Sequence, residues 1–163
     1  MTDLEIRPYR KQDCRQAIQI WNEVVEEGNA FPQEERLDEE TGHRFFSQQS
    51  YTGLAFDSNG KAVGLYILHP NNVGRCAHIC NASYAVDAKA RNQHIGKALV
   101  CDCLKKAKEL HFSILQFNAV VADNHAALHL YRSLGFHPLG RIPKGFRKKE
   151  GVYEDIIPHY IEL

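Results

Sequence analysis

The chain has 163 residues, of which 44% are hydrophobic and 25% are charged, a composition typical of one globular domain and unlike that of a disordered chain. Its 20 lysine and arginine residues balance 20 aspartate and glutamate residues, whereas a protein that mainly binds nucleic acid needs a surplus of cations. No apolar run approaches the roughly 18–20 residues of a membrane helix, and the first residues lack a signal-peptide core. We therefore expect a single cytoplasmic domain over residues 1–163 that binds neither membranes nor nucleic acid.

Hydrophobic periodicity and turn residues predict a regular alternation of strands and helices. In chain order the predicted elements are a strand at 4–9, helices at 13–28 and 38–49, strands at 51–57, 62–69 and 76–86, a helix at 95–110, a strand at 113–121, a helix at 124–134, and strands at 136–142 and 151–163. The strand–helix–strand unit over 76–121 requires a parallel pair, and the hairpins around it are antiparallel. The predicted fold class is therefore α/β, with a mixed sheet and helices on both faces.

Three local signals indicate the ends of these elements. Asn59-Gly60 between two alternating apolar segments is typical of a hairpin turn. Asp13 and Gln16 have the spacing of a capping box, which predicts the start of the first helix. Gly28 is a typical residue for its end.

The five cysteines predict reduced thiols, because their number is odd and no secretion signal precedes them. Cys76, His78 and Cys80 alternate, so on a strand they share one face and could bind zinc. No further cysteine or histidine pair follows at the spacing of a zinc site, which favours buried thiols as the interpretation. We therefore predict that the protein binds no metal.

The segment 84–98 has the clearest pattern of a ligand-binding loop. A predicted strand ends here and a helix begins near Ile95, so the helix N-terminus exposes N–H groups that suit a phosphate or pyrophosphate. Arg91 and Lys97 add cations, and Gly96 lets the backbone approach a ligand closely. The alternative is a charged helix start without a ligand.

Two common phosphate loops are excluded. Gly96-Lys97 is followed by Ala98 rather than by serine or threonine, and Arg91 stands where a P-loop needs its first glycine. The dinucleotide pattern G-x-G-x-x-G is also absent.

A second pattern runs from Asn124 to Phe136. Asn124 has the position of a helix N-cap, and Tyr131 follows seven residues later on the same face of the predicted helix. A phenol, with a reference pKa of about 10, can donate a proton there. The alternative is an aromatic side chain that packs in the core.

Together the two patterns resemble the GCN5-related N-acetyltransferase (GNAT) family. The run Arg-Asn-Gln-His-Ile-Gly-Lys-Ala at 91–98 is similar to its R/Q-x-x-G-x-G/A loop, and 124–136 is similar to its N-x-x-A-x-x-x-Y-x-x-x-G-F segment. The order of elements over residues 4–163 also fits. His94 stands where the family usually has its first glycine, and we expect a non-glycine residue with a helical φ to donate its N–H there.

The resemblance implies a GNAT-type fold in which acetyl-CoA binds between two strands that splay apart. It implies that the backbone of Tyr84, Ala85 and Val86 contacts pantetheine. It implies a phosphate site at Arg91 and at the backbone of Gln93, His94, Ile95, Gly96, Lys97 and Ala98. Asn124 and Tyr131 are the implied catalytic residues: Asn124 contacts the coenzyme, and Tyr131 faces the thioester sulfur and protonates the thiolate.

The general base is not evident from the sequence. Many members of the family place a glutamate on the strand equivalent to 76–86, but here the strand has no carboxylate and Asn81 takes that position. His78 and His125 are candidates, and a structural role is favoured for His78.

Narrower resemblances indicate the acceptor. The residues around Asn81 and Asn118 are similar to those of acetyltransferases that act on azetidine-2-carboxylate and other proline analogues, which implies that these two amides hold the substrate. Amides that bridge strand edges are the alternative. The runs Ile-Arg-Pro and Trp-Asn-Glu-Val-Val resemble phosphinothricin-type acetyltransferases, which implies that Phe31 walls the acceptor site.

The expected function is transfer of an acetyl group from acetyl-CoA to the amine of a small amino-acid-like acceptor, and the resemblance implies a homodimer. An acetyltransferase for protein or peptide N-termini is a second interpretation, because the loop at 34–40 is acidic. A CoA-binding sensor without turnover is a third, because the strand carboxylate is missing.

Overall fold

The computed structural model describes residues 4–163. Strands and α-helices follow in the order β1 (Glu5–Pro8), α1 (Cys14–Glu27), α2 (Glu39–Ser47), β2 (Tyr51–Phe56), β3 (Ala62–Pro70), β4 (Ile79–Val86), α3 (Ile95–Glu109), β5 (Ile114–Phe117), α4 (His125–Ser133), β6 (His137–Pro138), β7 (Ile142–Arg147), β8 (Tyr153–Ile156) and β9 (His159–Glu162). Within residues 4–163 no helix is both long and apolar enough to cross a bilayer.

The main sheet has seven strands in the order β1-β2-β3-β4-β5-β9-β6. Its neighbours are antiparallel except β4 and β5, which run parallel as the connection through α3 requires. Strands β7 and β8 form a separate antiparallel pair. The prediction of an α/β protein with a mixed sheet is confirmed.

Helices cover both faces of the sheet because successive side chains of each strand point to opposite faces, and apolar side chains occur on both. Cys80 of β4 faces α3, where it packs in one apolar cluster with Leu99. On the other face Trp21 of α1 packs in a second cluster with Leu65 of β3. Burying a side chain the size of Leu65 or Leu99 stabilises the fold by about 1.5–3 kcal/mol. The alternation also divides β4, with even-numbered side chains towards α3 and odd-numbered ones towards α1.

The capping-box prediction at the start of α1 is wrong. The Asp13 carboxylate accepts hydrogen bonds from the Arg7 guanidinium at 2.8 and 2.9 Å and from the Arg10 backbone N–H at 2.8 Å. Gln16 Oε1 instead accepts from the backbone N–H of Ala62 at 2.8 Å. Both side chains therefore connect α1 to strands of the sheet. The spacing of Asp13 and Gln16 in the sequence does not predict these contacts, because their partners are on other elements. Gly28 ends α1 with a φ of 64°, as predicted.

Strand β4 begins at Ile79, later than the predicted start at residue 76. Residues 74–76 form a turn of 3₁₀-helix, and Ile79 is the first residue of β4 in register with β5. Cys76 and His78 are consequently exposed, whereas Cys80 is buried. The predicted shared face of these three residues, and with it the zinc alternative, is not formed.

The carboxyl-terminal third differs most from the prediction. The strands predicted at 113–121, 136–142 and 151–163 are shorter in the structure, and β7 was not predicted. Pro158, which cannot donate to a ladder, separates β8 from β9, and the turn at 148–151 closes the β7–β8 hairpin. Beyond β5 the chain turns away, and Val121 forms an isolated bridge with Ile156.

Candidate active site

The two parallel strands β4 and β5 form a wedge. They pair only at Ile79–Ile114 and Cys80–Leu115, after which β4 stays paired with β3 while β5 pairs with β9. At the vertex, Asn81 Nδ2 donates to the backbone carbonyl of Gln116 at 2.9 Å. Beyond this bridge the facing edge of β4 has no strand partner within residues 4–163, so its backbone groups are available to a ligand.

Hydrogen-bond alternation shows which amides of β4 point into the wedge. The Ile79 carbonyl accepts from Asn71 N–H at 2.8 Å, and Asp87 N–H donates to Val63 at 2.9 Å, so odd-numbered residues of β4 bond towards β3. The even-numbered N–H groups, including that of Tyr84, therefore point towards β5. The Tyr84 N–H therefore makes no bond to β3 and is available to a ligand in the wedge.

A cleft of about 1050 Å³ opens beside the wedge, bounded by α4, the amino-terminal end of α3, the last turn of α1 and the loop after α1. The predicted coenzyme-binding residues that line it are Tyr84, Val86, Arg91, His94, Ile95, Gly96, Lys97 and Asn124. The predicted residues that do not line it are Ala85, Gln93, Ala98 and Tyr131. Ala85 is buried with the α1 cluster, and Gln93 is exposed.

The first turn of α3 presents free backbone amides to this cleft. The first intrahelical bond runs from Ala98 N–H to the His94 carbonyl at 3.1 Å, and the N-cap residue makes no side-chain capping bond. The N–H groups of Ile95, Gly96 and Lys97 consequently have no helix acceptor. Three convergent amides at the positive end of the helix dipole suit a diphosphate. The amide of Ala98, also predicted for this site, is already used within the helix.

The backbone of His94 is left-handed, with a φ of 60°, which corrects the expectation of a helical φ at this position. Asn92 in the same loop has a φ of 63°. A left-handed non-glycine residue costs about 1–2 kcal/mol, although histidine and asparagine adopt this conformation more often than most residues. The conformation gives a physical reason for a glycine at this loop position.

Gly96 is open towards the cleft. A Cβ atom built on it would meet only Leu130 Cδ2, at 3.9 Å, which is ordinary van der Waals contact. The protein itself therefore has room for an alanine, and the missing Cβ leaves space for a ligand.

The charges around the cleft are partly paired. Arg91 forms an ion pair with Glu27 of α1, and Lys148 forms one with Asp123. Lys97 is exposed at the start of α3 and lines the cleft. Lys97 is therefore the more available of the two predicted cations, because the charge of Arg91 is shared with a carboxylate.

Asn124 caps α4 as predicted: its Oδ1 accepts from Ala127 N–H at 3.2 Å. This bond uses the oxygen and leaves the amide donors of Asn124 available at the cleft that it lines. Its predicted contact with the coenzyme stays a prediction.

Tyr131 is half-buried next to the end of β5 and does not line the cleft. Its ring centroid is 4.4 Å from that of Phe117, the last residue of β5, and 5.3 Å from that of Phe136. Burial raises the pKa of Tyr131 well above its usual value, and the Cys103 thiol adds to the effect. The phenol consequently stays protonated at neutral pH, which is the form that an acid needs.

The buried thiols are unreactive. Burial raises the pKa of Cys80 to about 12 and that of Cys103 to about 12, so neither forms a thiolate at neutral pH. Acid–base chemistry in the wedge must therefore use other side chains. Residues 4–163 contain no group of histidine, cysteine and carboxylate side chains that could hold a metal.

An amide cluster occupies the opposite face of the sheet at the vertex of the wedge. It consists of Asn71, Asn81, Gln116 and Asn118. Gln116 Nε2 donates to Asn118 Oδ1 at 3.0 Å, and Asn118 Nδ2 donates to Asn71 Oδ1 at 2.7 Å. The two predicted acceptor-binding residues thus belong to one group of amides at the vertex, and each amide nitrogen keeps a second hydrogen to donate.

Phe31 lies apart from the amide cluster. It is buried with its ring centroid 4.4 Å from that of Trp21, and it lines a second cavity of about 480 Å³ between the α1–α2 loop and β7. The backbone of Lys149 donates to the Gly28 carbonyl at 3.0 Å and closes one side of this cavity. The role of Phe31 as a wall of the acceptor site stays a prediction.

Neither histidine proposed as a base lies at the vertex. His78 is exposed in the turn before β4, and His125 is exposed on the rim of the cleft. His69, which was not predicted as a site residue, lies directly across from Asn81 in the β3–β4 pair. The sequence does contain one indication of its position: His69 follows the buried Leu65 and Ile67 at every second residue of β3, so it lies on the same face of the strand.

Comparison with known proteins agrees with this geometry. Residues 16–136 match the profile of the Acetyltransferase (GNAT) family, which is more than half of the chain. The chain belongs to the GNAT acetyltransferase family. A solved GNAT enzyme from Kribbella flavida is 30% identical, with a TM-score of 0.90 and coverage of 98% of both chains.

Two further proteins illustrate the range of GNAT relatives. The N-acetyltransferase aca1 of Schizosaccharomyces pombe is 32% identical over 108 residues, which cover 65% of this chain. The matched region spans 52% of aca1, so the chain covers about half the length of this curated relative. A phosphinothricin acetyltransferase from Sinorhizobium meliloti, solved in complex with acetyl-CoA, is 22% identical and shares the fold, with a TM-score of 0.91 over 98% of this chain and 88% of that one.

Proposed function

We propose that this protein transfers the acetyl group of acetyl-CoA to the amine of a small amino-acid-like acceptor. One observation carries the proposal: the cleft with its free helix amides runs along β4 as far as Tyr84, and the amide cluster lies at the vertex, where Asn81 of the same strand faces the α1 side of the sheet. A donor and an acceptor that approach from opposite faces meet in the gap between the strands. Holding both in reacting geometry supplies much of the acceleration of such a transfer.

The residues of the cleft fit acetyl-CoA. The free N–H groups of Ile95, Gly96 and Lys97 bind the diphosphate, and the open position at Gly96 lets it approach the backbone. Val86 and Tyr84 continue the lining from α3 towards the vertex. The solved phosphinothricin acetyltransferase with the same fold carries acetyl-CoA, which supports this choice of coenzyme.

The chain's own residues meet two of the three demands of the reaction. Acetyl-CoA supplies the activated thioester. The Tyr84 N–H donates to the carbonyl oxygen where negative charge develops. Tyr131, held protonated by burial, donates a proton to the departing thiolate. The third demand is a neutral amine, which needs a base that neither tyrosine supplies.

The amide cluster favours an acceptor that carries a carboxylate beside its amine. Asn81 and Asn118 bind a carboxylate through N–H donors and add no charge to the site. Such recognition suits an amino acid or a close analogue. Neutral amides also avoid the free-energy cost of an unpaired, partly buried cation in the protein without bound acceptor.

An N-terminal peptide acceptor is less well supported. Three of the five carboxylates in the acidic loop that motivated it have partners: Glu34 pairs with Arg147, Glu39 pairs with Arg15, and Asp38 caps α2 by accepting from Thr41 N–H at 2.8 Å. These three carboxylates stabilise the loop and α2 and are not free to attract a peptide.

Turnover with a panel of acceptors tests the proposal. Release of the free CoA thiol is measured with the twenty amino acids, azetidine-2-carboxylate, phosphinothricin and a short peptide. Turnover with a free amino acid or analogue is the expected result. Turnover with the peptide alone would support the N-terminal acetyltransferase, and tight acetyl-CoA binding without turnover would support the sensor. The predicted homodimer and cytoplasmic location stay predictions, and light scattering tests the first.

A further inference from the structure

We propose that His69 is the general base that deprotonates the acceptor ammonium. The inference rests on the proposed acetyl transfer and assigns the function that no carboxylate of β4 performs. Three observations carry it: the position of His69 at the vertex, the hydrogen bond of its ring, and the chemistry of its neighbours.

His69 lies on the acceptor face of the sheet at the vertex. It is the direct antiparallel partner of Asn81, so the two side chains share one face with their Cβ atoms about 5 Å apart. Asn71, two residues further along the chain, accepts from Asn118 Nδ2 at 2.7 Å. His69 therefore lies beside the two amides proposed to hold the acceptor, and it is half-buried rather than enclosed.

The hydrogen bond of the ring assigns its tautomer. His69 Nδ1 lies 3.0 Å from the Pro70 backbone carbonyl oxygen, which can only accept. Nδ1 therefore carries the hydrogen, and Nε2 of the neutral ring presents a lone pair. The bond also orients the ring, as a base needs for a productive approach to its proton.

The surroundings leave His69 as the proton acceptor. The polar side chains of β4 and β5 that share its face at the vertex are amides and the hydroxyl of Ser83, which do not take up a proton at neutral pH. Asn81 takes the place where many relatives have a glutamate, and its cross-strand partner supplies the missing base. The base is thus on the adjacent strand β3 rather than on β4.

The proton balance of the reaction is complete with this assignment. His69 Nε2 takes one proton from the acceptor ammonium and passes it to solvent. The neutral nitrogen forms a bond to the thioester carbonyl carbon, and the carbon–sulfur bond breaks with the electron pair on sulfur. The nitrogen loses its second proton to solvent, and Tyr131 gives its proton to sulfur and takes one back from solvent, so one proton is released in total.

The substitution His69→Asn isolates this role. An asparagine side-chain N–H takes the place of Nδ1 and keeps the bond to the Pro70 carbonyl, but no group replaces Nε2. With saturating azetidine-2-carboxylate, or the best acceptor from the panel, we expect kcat to fall by about 100-fold or more while the Kd for acetyl-CoA is unchanged. In His69→Ala, whose truncation leaves room for the ring, imidazole in the buffer restores part of kcat. His78→Asn, in the exposed turn, is the matched control and retains wild-type kcat.

The outcomes separate this inference from the proposed function. If the wild type acetylates no amine, the proposed function fails. If the wild type turns over and His69→Asn keeps kcat within about threefold, or imidazole restores nothing in His69→Ala, the base assignment is overturned. Loss of acetyl-CoA binding in both His69→Asn and His69→Gln would also overturn it, since the ring then serves the fold.

Discussion

The side chain of Asn81 spans the last closed position between β4 and β5, donating to the carbonyl of Gln116 at 2.9 Å. This bond lies where the two strands stop pairing, so it ends the ladder and begins the wedge. The residue proposed to hold the acceptor therefore also defines the geometry of the gap through which the acceptor reaches its donor.

Asn81→Ala and Asn118→Ala should each raise the acceptor KM by about tenfold or more. Each removes a donor to a charged carboxylate, an interaction that contributes about 1.5–3 kcal/mol. Steady-state kinetics at saturating acetyl-CoA measure the effect. Asn72→Ala, an exposed asparagine of the neighbouring loop, is the control. An unchanged KM in both variants would discard the carboxylate clamp.

Tyr131→Phe should lower kcat by about 100-fold or more with little change in the Kd for acetyl-CoA. The substitution keeps the ring packed against Phe117 and removes only the hydroxyl that carries the acidic proton. Tyr153→Phe, on the exposed hairpin strand β8, controls for loss of a phenol. Rapid-quench kinetics, which isolate the transfer step, would refute the acid role if they gave the wild-type rate.

Gly96→Ala should weaken acetyl-CoA binding without destabilising the protein. The nearest protein atom to the new Cβ is 3.9 Å away, and alanine is favoured over glycine in a helix by about 0.8–1 kcal/mol. We expect an equal or higher Tm and a weaker Kd by calorimetry. A lower Tm together with unchanged affinity would mean that the glycine serves helix packing and not the ligand.

His94→Gly should stabilise the protein by about 0.5–1 kcal/mol. The left-handed φ costs a histidine about 1–2 kcal/mol, and glycine relieves this strain. Part of the gain is lost because glycine also gives the unfolded chain more conformational freedom. Because the backbone already has this conformation, the affinity for acetyl-CoA should stay within about threefold.

The matched variant is His111→Gly at the opposite end of α3, where φ is 65°. It should give a similar gain in urea-unfolding free energy with no effect on the coenzyme. A loss of stability in His94→Gly but not in His111→Gly would contradict the strain argument, because the imidazole would then contribute contacts of its own.

The Arg7–Asp13 pair should make stability sensitive to acid. Burial alone would raise the pKa of Asp13, but hydrogen bonds from Arg7 and Arg10 outweigh it, and the net pKa is lowered. A lowered folded pKa means that the stabilisation is present above the unfolded value, about 3.9, and is lost as pH falls through the folded value. Urea unfolding should show Asp13→Asn less stable than wild type by about 1–3 kcal/mol at pH 7, with a difference that shrinks below about pH 4.

Glu39→Gln is the control for that measurement, because its pair with Arg15 is exposed and contributes less than about 1 kcal/mol. A pH-independent difference for Asp13→Asn would indicate that packing of the side chain, rather than its charge, stabilises the start of α1.

The sequence predicts those parts of the fold that depend on local spacing. The Asn59-Gly60 hairpin, the end of α1 at Gly28 and the beginning of α3 at Ile95 follow from turn chemistry and periodicity. The capping role of Asp13 failed because Arg7, which competes for the carboxylate, is on another element. The predicted lengths of the strands after residue 113 were wrong, because strand length there depends on pairing with residues far away in the chain.

The candidate site likewise has one part that the sequence predicts and another that depends on how distant segments pair. A contiguous run such as 91–98 identifies a helix terminus and its free amides. His69 could not be found in this way, because its relation to Asn81 exists only once β3 and β4 pair in one register. The left-handed φ of His94 is likewise a property of the closed loop that residue type alone does not specify.

The short parallel seam between β4 and β5 also affects how stability is distributed in the sheet. Two register pairs, the backbone bond from the Ser113 N–H to the His78 carbonyl, and the side-chain bonds of Asn81 and Asn118 join β1–β4 to the block formed by β5, β9 and β6. Because so few backbone bonds cross this boundary, the blocks depend on the layers above and below the sheet for their mutual orientation. A molecule that fills the wedge contributes to that orientation as well as to catalysis, so ligand binding and cooperative unfolding are coupled through the same pair of strands.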